Sequence, residues 1–215
     1  MQKNRSTRNN AAPRASRAPQ QVRIIGGQWK RTPLPVLDAE GLRPTPDRVR
    51  ETTFNWLNHL LDGAWDKLDC LDLFAGTGAL GFEAASRGAA RVLMVEDNSA
   101  AVRQLEAAKA KLRAEQVVIQ RGDALSVAER LAGSGTRFEL IFLDPPYHRD
   151  WLVKMLPVCA RLLAEGGLVY AEAETAFDSE APPEWLAGWE VVRADKGGMV
   201  FYHLLRRKSP PEFQA

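Results

Sequence analysis

The sequence predicts an α/β protein with a doubly wound, mostly parallel sheet covered by helices on both faces, and three observations predict it. An apolar run over 68–74 stops at Gly76-Thr77-Gly78-Ala79-Leu80-Gly81, a Gly-x-Gly-x-x-Gly turn, and a helical pattern follows over 79–86. Short apolar runs then alternate with helical stretches as far as residue 171. The fourth of these runs ends in Asp144-Pro145-Pro146-Tyr147. Strand, glycine turn, helix is the first crossover of such a sheet: glycine lets the backbone pass close to a ligand, and the helix N-terminus offers unpaired N–H groups to an anion. Strands that alternate with helices run parallel and have both faces covered.

Length and composition set the frame. The 215 residues are enough for one ordinary domain with a sizeable core and short appendages. With 45% apolar and 26% charged residues the chain reads as globular rather than disordered. No apolar run approaches the roughly 20 residues of a transmembrane helix. Met1-Gln2-Lys3-Asn4-Arg5 leads into no apolar signal core, so a cytoplasmic protein without a membrane partner is expected. Cys70 and Cys159 both sit in apolar surroundings far apart in the chain, and His59, His148 and His203 are scattered; neither a disulfide framework nor a metal centre is expected.

Each element follows in order. Residues 1–21 offer little to bury and are expected to form a disordered basic leader. Residues 1–50 carry eleven Lys or Arg against three acids while the whole chain stands at +2, so one end is a polycation, the footprint of a phosphate-backbone binder. Short apolar runs around Gly26-Gly27, with Leu34-Pro35-Val36, predict a small β-hairpin carrying Arg23, Lys30 and Arg31. Its Trp29 either stacks on RNA bases or covers the sheet edge. A helix is expected behind Pro44 and Pro46, with Thr45 or Asp47 as cap and Val49, Phe54, Trp56 and Leu57 on its apolar side. Arg43, Arg48 and Arg50 surround its start, either as ligands for a carboxylate or phosphate or as plain surface charge. Beyond the glycine turn the pattern gives a strand over 91–96, a helix over 99–114, a strand over 117–120, a helix over 125–132, a strand over 138–143, a helix over 151–164 and a strand over 168–171. The runs 189–196 and 199–206 flank Gly197-Gly198 and form a hairpin, so one of them must run antiparallel to the rest. Residues 22–62 thus make an N-terminal basic hairpin and helix, 63–207 the α/β domain, and 208–215 a frayed tail.

Two acids sharpen the glycine turn. Glu96 ends the second run twenty residues after Gly76, the separation at which an acid accepts hydrogen bonds from ribose hydroxyls; a dinucleotide or a single nucleoside would satisfy both features. Asp123 follows the third run at the same edge, placed to accept from an adenine amino group or to cap the helix behind it. The prolines of Asp144-Pro145-Pro146-Tyr147 stiffen a loop that presents a carboxylate, a proline carbonyl and an aromatic face together. Those groups match an exocyclic amine on a nucleobase. Its lone pair is delocalised into the ring, and two acceptors, Asp144 and the Pro145 carbonyl, can hold its hydrogens so that the lone pair points at an electrophile while Tyr147 stacks on the base. Asp144 can also take the released proton.

These residues resemble the class I methyltransferases that use S-adenosylmethionine, and more narrowly the RsmD type, the bacterial 16S rRNA guanine-N2 methyltransferases. The resemblance spans residues 22–206 and is carried by Arg23-Ile24-Ile25-Gly26-Gly27, by Leu42-Arg43-Pro44-Thr45 with Asp47-Arg48-Val49-Arg50-Glu51, by Asp72-Leu73-Phe74-Ala75-Gly76-Thr77-Gly78, and by Asp144-Pro145-Pro146-Tyr147. It implies a Rossmann-like, seven-stranded, mostly parallel sheet with one antiparallel strand. It implies S-adenosylmethionine held by Asp72, Phe74, Ala75, Gly76, Thr77, Gly78, Glu96, Asp97, Asp123 and Ala124, with the target base at Asp144 to Tyr147. Arg23, Trp29, Lys30, Arg31, Arg43 and Arg48 are the expected contacts to the RNA, a 16S rRNA within the small ribosomal subunit or its assembly intermediate, and a monomer is expected. Phe74 departs from the glycine many methyltransferases carry there. Three rival readings are an NAD(P)-dependent oxidoreductase, which leaves Asp144-Pro145-Pro146-Tyr147 unexplained; an adenine-N6 or cytosine-N4 methyltransferase of DNA or RNA, although no separate DNA-recognition domain fits; and a non-catalytic RNA-binding assembly factor on the same fold.

Overall fold

The computed structural model describes residues 21–36, 45–147, 150–177 and 183–208. The expected leader, apart from Gln21, and Arg43 lie outside the described residues. The chain opens with a two-stranded antiparallel hairpin, β1 (Gln21–Arg23) and β2 (Pro33–Pro35), followed by α1 (Asp47–Leu60). The alternating units then run β3 (Asp69–Asp72), α2 (Ala79–Ser86), β4 (Arg91–Glu96), α3 (Ser99–Leu112), β5 (Val117–Arg121), α4 (Ala124–Gly133), β6 (Phe138–Leu143), α5 (Trp151–Leu162) and β7 (Leu163–Ala173). β8 (Trp189–Gly197) and β9 (Val200–Arg207) close the sheet.

The seven strands lie in the order β5-β4-β3-β6-β7-β9-β8. β5 to β7 are mutually parallel, and β9 pairs antiparallel with both β7 and β8. The order reverses beside β3, with β4 and β5 on one side and β6, β7, β9 and β8 on the other, so a crevice opens between the carboxyl ends of β3 and β6. One buried apolar cluster joins the hairpin, α1, α2 and α3 to one face of the sheet. A second joins α4 and α5 to the other face.

Local chemistry explains where the elements differ from expectation. Neither Thr45 nor Asp47 caps α1: the N-cap is Pro46, without a side-chain hydrogen bond, because the Thr45 hydroxyl is engaged across the fold with Asp144 and Glu172. α3 ends at Leu112 because Arg113 turns left-handed at φ 53°. β7 starts five residues earlier than the apolar run suggests, its register on β6 shifting between Phe138 and Leu140. Lys208 is no frayed end: its N–H donates to Gly188 O at 3.0 Å and its ammonium to Ala187 O at 2.9 Å.

The hairpin is clamped to α2. The buried Glu83 carboxylate accepts from Ile25 N at 2.6 Å and Gly26 N at 2.8 Å, with Arg87 beside it at 2.9 Å. Ser86 donates to Gly26 O at 2.6 Å and accepts from Trp29 N at 2.9 Å. Gly27, at φ 72°, leaves no room for a side chain: a Cβ would stand 1.9 Å from Ser86 O. Because α2 descends from the carboxyl end of β3 towards the start of β4, Ser86 lies at the opposite edge of the sheet from the crevice, and the loop around Trp29 lies there with it.

Candidate functional site

The first half of the site is the glycine turn. Apolar β3 brings Asp72 to the crevice, and Gly76 (φ 50°) and Gly78 (φ 77°) bend the chain into α2 in conformations that cost an L side chain about 1–2 kcal/mol. A Cβ on Gly78 would come within 2.6 Å of Phe82 and 2.7 Å of Leu105, so the turn sits flush on the helical layer. Glu96, at the end of β4, accepts from Gly76 N at 2.8 Å and Asn98 N at 2.9 Å, bridging the two strands across which the sequence motif is spaced. Asp72 Oδ2 accepts from Gly81 N at 3.1 Å, whereas its Oδ1 is buried without a hydrogen-bond partner. Burial pushes the Asp72 carboxyl up to about 7, against the opposing pull of the Gly81 and Phe74 amides. Asp97 is exposed next to Glu96, Ala75 and Ala124 are buried, and Thr77 is half-buried. Phe74 meets Trp151 edge-on at 5.2 Å. Asp123 caps α4, its Oδ1 accepting from Ser126 N and from the Ser126 hydroxyl, both at 2.8 Å.

The second half follows β6. Pro145 is buried, Pro146 and Tyr147 are exposed, and Asp144 is half-buried. The Asp144 carboxylate does not stand free as the loop alone suggests. Thr45 Oγ1 lies 3.2 Å from Asp144 Oδ2 and 2.6 Å from Glu172 Oε1, and the Tyr170 hydroxyl donates to the same Glu172 oxygen at 2.8 Å. Thr45 has one proton to give, so it serves one acid at a time. Burial, then the neighbouring Glu172 and Asp72 charges, raise the Asp144 carboxyl well above the ordinary range, and Glu172 is raised by burial too. Two carboxyls this close in a buried site share a proton rather than ionise together. Sequence reasoning missed Glu172, which nothing in its local sequence sets apart from Glu174 two residues further on.

Beside this pair opens a cavity of about 530 Å³ whose lining includes Pro145, Pro146, Tyr147, Glu172, Phe177 and Trp185. Phe177 stacks on His203 at 3.8 Å and meets Trp185 edge-on at 5.4 Å. Burial lowers His203 to about 4, which keeps the imidazole neutral under the ring. The chamber is therefore apolar and aromatic on one side and acidic on the other.

The structure gathers the cofactor and loop candidates but not all the basic ones. Arg23 and Arg48 stand at the start of α1 near Thr45: Arg23 pairs with Asp47 at 2.9 Å, and Arg48 donates to Lys196 O at 3.5 Å. Trp29 is half-buried against the core at the far edge, with exposed Lys30 and Arg31 following it. Arg50 is wholly buried and structural, donating to Arg23 O and Asp47 at 2.7 Å each. Among the described residues no group of His, Cys, Asp and Glu could hold a metal ion, and no helix is long and apolar enough to cross a membrane.

A sheet of this order, reversed at the crevice and closed by one antiparallel strand, with a glycine turn after its central strand, defines a class I methyltransferase. The model of the family described as Conserved hypothetical protein 95 matches residues 22–206, and the chain belongs to that family. It is 41% identical over 197 residues to Ribosomal RNA small subunit methyltransferase D of Escherichia coli (strain K12), covering 91% of this chain and 94% of that protein. A solved structure, the putative methyltransferase yhhF from Escherichia coli, is 38% identical with a TM-score of 0.74, covering 88% of this chain and 99% of that one. A more distant putative methyltransferase, solved in complex with SAH, shares the fold at 16% identity and a TM-score of 0.62, covering 88% of this chain and 56% of that one.

Proposed function

We propose that the chain transfers a methyl group from S-adenosylmethionine to the exocyclic N2 amine of a guanine in 16S rRNA of the small ribosomal subunit. The observation that carries this reading is the meeting, at one sheet edge, of the glycine turn with Asp144 and its Pro145-Pro146-Tyr147 loop, in a chain 41% identical to a small-subunit rRNA methyltransferase.

The residues at the turn fit the cofactor. Asp72 offers a buried, unpartnered carboxylate oxygen for its ammonium, Gly76 and Gly78 make the left-handed turn that carries backbone N–H groups of the α2 N-terminus to the ligand, Glu96 suits its ribose hydroxyls, and Asp123 suits its adenine amine. When bound, S-adenosylmethionine supplies an electrophilic methyl on a sulfonium. Asp144 and the Pro145 carbonyl then accept the hydrogens of the target amine and turn its lone pair towards the turn. Asp144 takes the proton that the amine loses, with Glu172 as the partner that shares it. Tyr147, exposed at the mouth, stacks on the base, which must leave its helix to enter.

The test is transfer of a labelled methyl group from S-adenosylmethionine to small ribosomal subunits lacking the modification, followed by nucleoside mass spectrometry. N2-methylguanosine is the expected product. Another methylated nucleoside overturns the substrate assignment, and no transfer to subunits, rRNA or DNA overturns the activity.

A further inference from the structure

The closing hairpin of the sheet reaches the same edge as Asp144. β9 runs against β7, so Glu172 faces Tyr202 and Ala173 faces Phe201, and the turn Gly197-Gly198-Met199 lies just beyond the carboxyl ends of the parallel strands. Three residues of strand place Met199 roughly 10 Å along and about 5 Å across from Glu172. The turn is held in place. A Cβ on Gly197 would stand 2.2 Å from Val49, so its backbone lies directly on the first turn of α1. Arg48 donates to Lys196 O, and Asp195 accepts from Lys196 N at 2.7 Å and from the Tyr202 hydroxyl at 2.9 Å.

On this fixed base Met199 is 76% exposed, more than Val118, Val153 or Tyr147. Burying such a side chain would stabilise the fold, so a clamped turn that holds it out to water gives up that contribution. Cations flank it: exposed Arg48 reaches the Lys196 carbonyl, and the Lys196 ammonium lies over the Phe201 ring at 4.6 Å. The turn's own acid, Asp195, is occupied by its two hydrogen bonds. An apolar tip flanked by cations, one strand away from the pair of acids, matches a nucleic-acid strand from which one base has been drawn out. The neighbouring base then bares an apolar face, and Met is among the side chains that fill such steps, while Arg and Lys hold the adjoining phosphates.

We propose that the Gly197-Gly198-Met199 turn is a second contact for the target RNA, with Met199 packed on the nucleoside beside the extruded base and Arg48 and Lys196 on the flanking phosphates. This rests on the substrate reading given above. It assigns to the closing hairpin, not to the β1–β2 loop at the far edge, the contacts next to the reacting base.

The test compares full-length wild type, Met199→Ala and Lys196→Gln in equilibrium binding to unmodified small ribosomal subunits over a range of salt. Both side chains are solvent-exposed, and unchanged melting temperature and cofactor affinity would show the fold intact. Met199→Ala should weaken subunit binding about tenfold, the loss expected when one apolar side chain no longer packs on a base. Lys196→Gln should flatten the dependence of log affinity on log salt by about 0.7–0.9. Wild-type affinity and slope in both variants would overturn the contact alone. A wild-type protein that does not bind subunits would overturn the proposed substrate and this contact with it.

Discussion

Asp144, Glu172 and Asp72 form a line of acids across β6, β7 and β3, and the charged groups acting on Asp144 are the other two. Asp144→Ala should abolish methyl transfer and leave cofactor affinity within a few-fold, measured by titration calorimetry; a large loss of cofactor binding would place this residue wrongly. Because Glu172 is the largest charged cause of the rise at Asp144, Glu172→Gln should lower the Asp144 titration, read from its carboxyl carbon by NMR. Asp72 gives a prediction of opposite reach. Its folded value of about 7 exceeds the unfolded value near 3.9, so the folded chain binds the extra proton and Asp72 stabilises it below about pH 4; that contribution fades as pH rises through about 7. Compared with Asp72→Asn, wild type without cofactor should therefore lose on the order of 1–3 kcal/mol more stability between about pH 4 and 8, checked by melting curves across pH. Glu96 and Asp144 stood out in the sequence because each follows an apolar run at a motif, whereas Asp72 lies inside its run and was expected only from the family resemblance. Thr45 and Glu172 were not legible there, since 127 positions separate them and only the folded sheet brings them together.

At the scale of elements, spacing alone located the parallel strands and the helices between them, because their apolar periods are long enough to read. What escaped was the attachment of the β1–β2 hairpin. Its polar contacts to α2 run through Glu83 and Ser86, residues that look like ordinary helix surface in the sequence and are buried in the fold. Glu83→Ala would leave two amides without their acceptor, at about 1–3 kcal/mol each. The expected result is loss of hydrogen-exchange protection at Ile25 and Gly26 while the β3–β6 strands stay protected; equal loss throughout would mean that the hairpin and the sheet open together. The same anchoring explains why Trp29, Lys30 and Arg31, grouped by sequence with the substrate arginines, stand at the other edge of the sheet.

For the molecule as a whole, charge is unevenly spread along the chain. Lys3, Arg5, Arg8, Arg14 and Arg17 precede the hairpin without any acid among residues 1–20. Deleting residues 1–20 should weaken binding to rRNA and flatten its salt dependence, as counterion release requires; an unchanged slope would remove this arm from the interface. The order of the strands has a different consequence. β9 is the last strand of the sheet in chain order, yet it lies between β7 and β8, stacks Tyr202 on Trp56 of α1 at 5.4 Å and sets His203 against Phe177. During synthesis, then, β8 has no strand to pair with and β7 keeps a bare edge until residues 200–207 have left the ribosome. A nascent chain that stops short of them has the glycine turn and the Asp144 loop in its sequence but cannot close the sheet that supports them, so competence arrives in one late step.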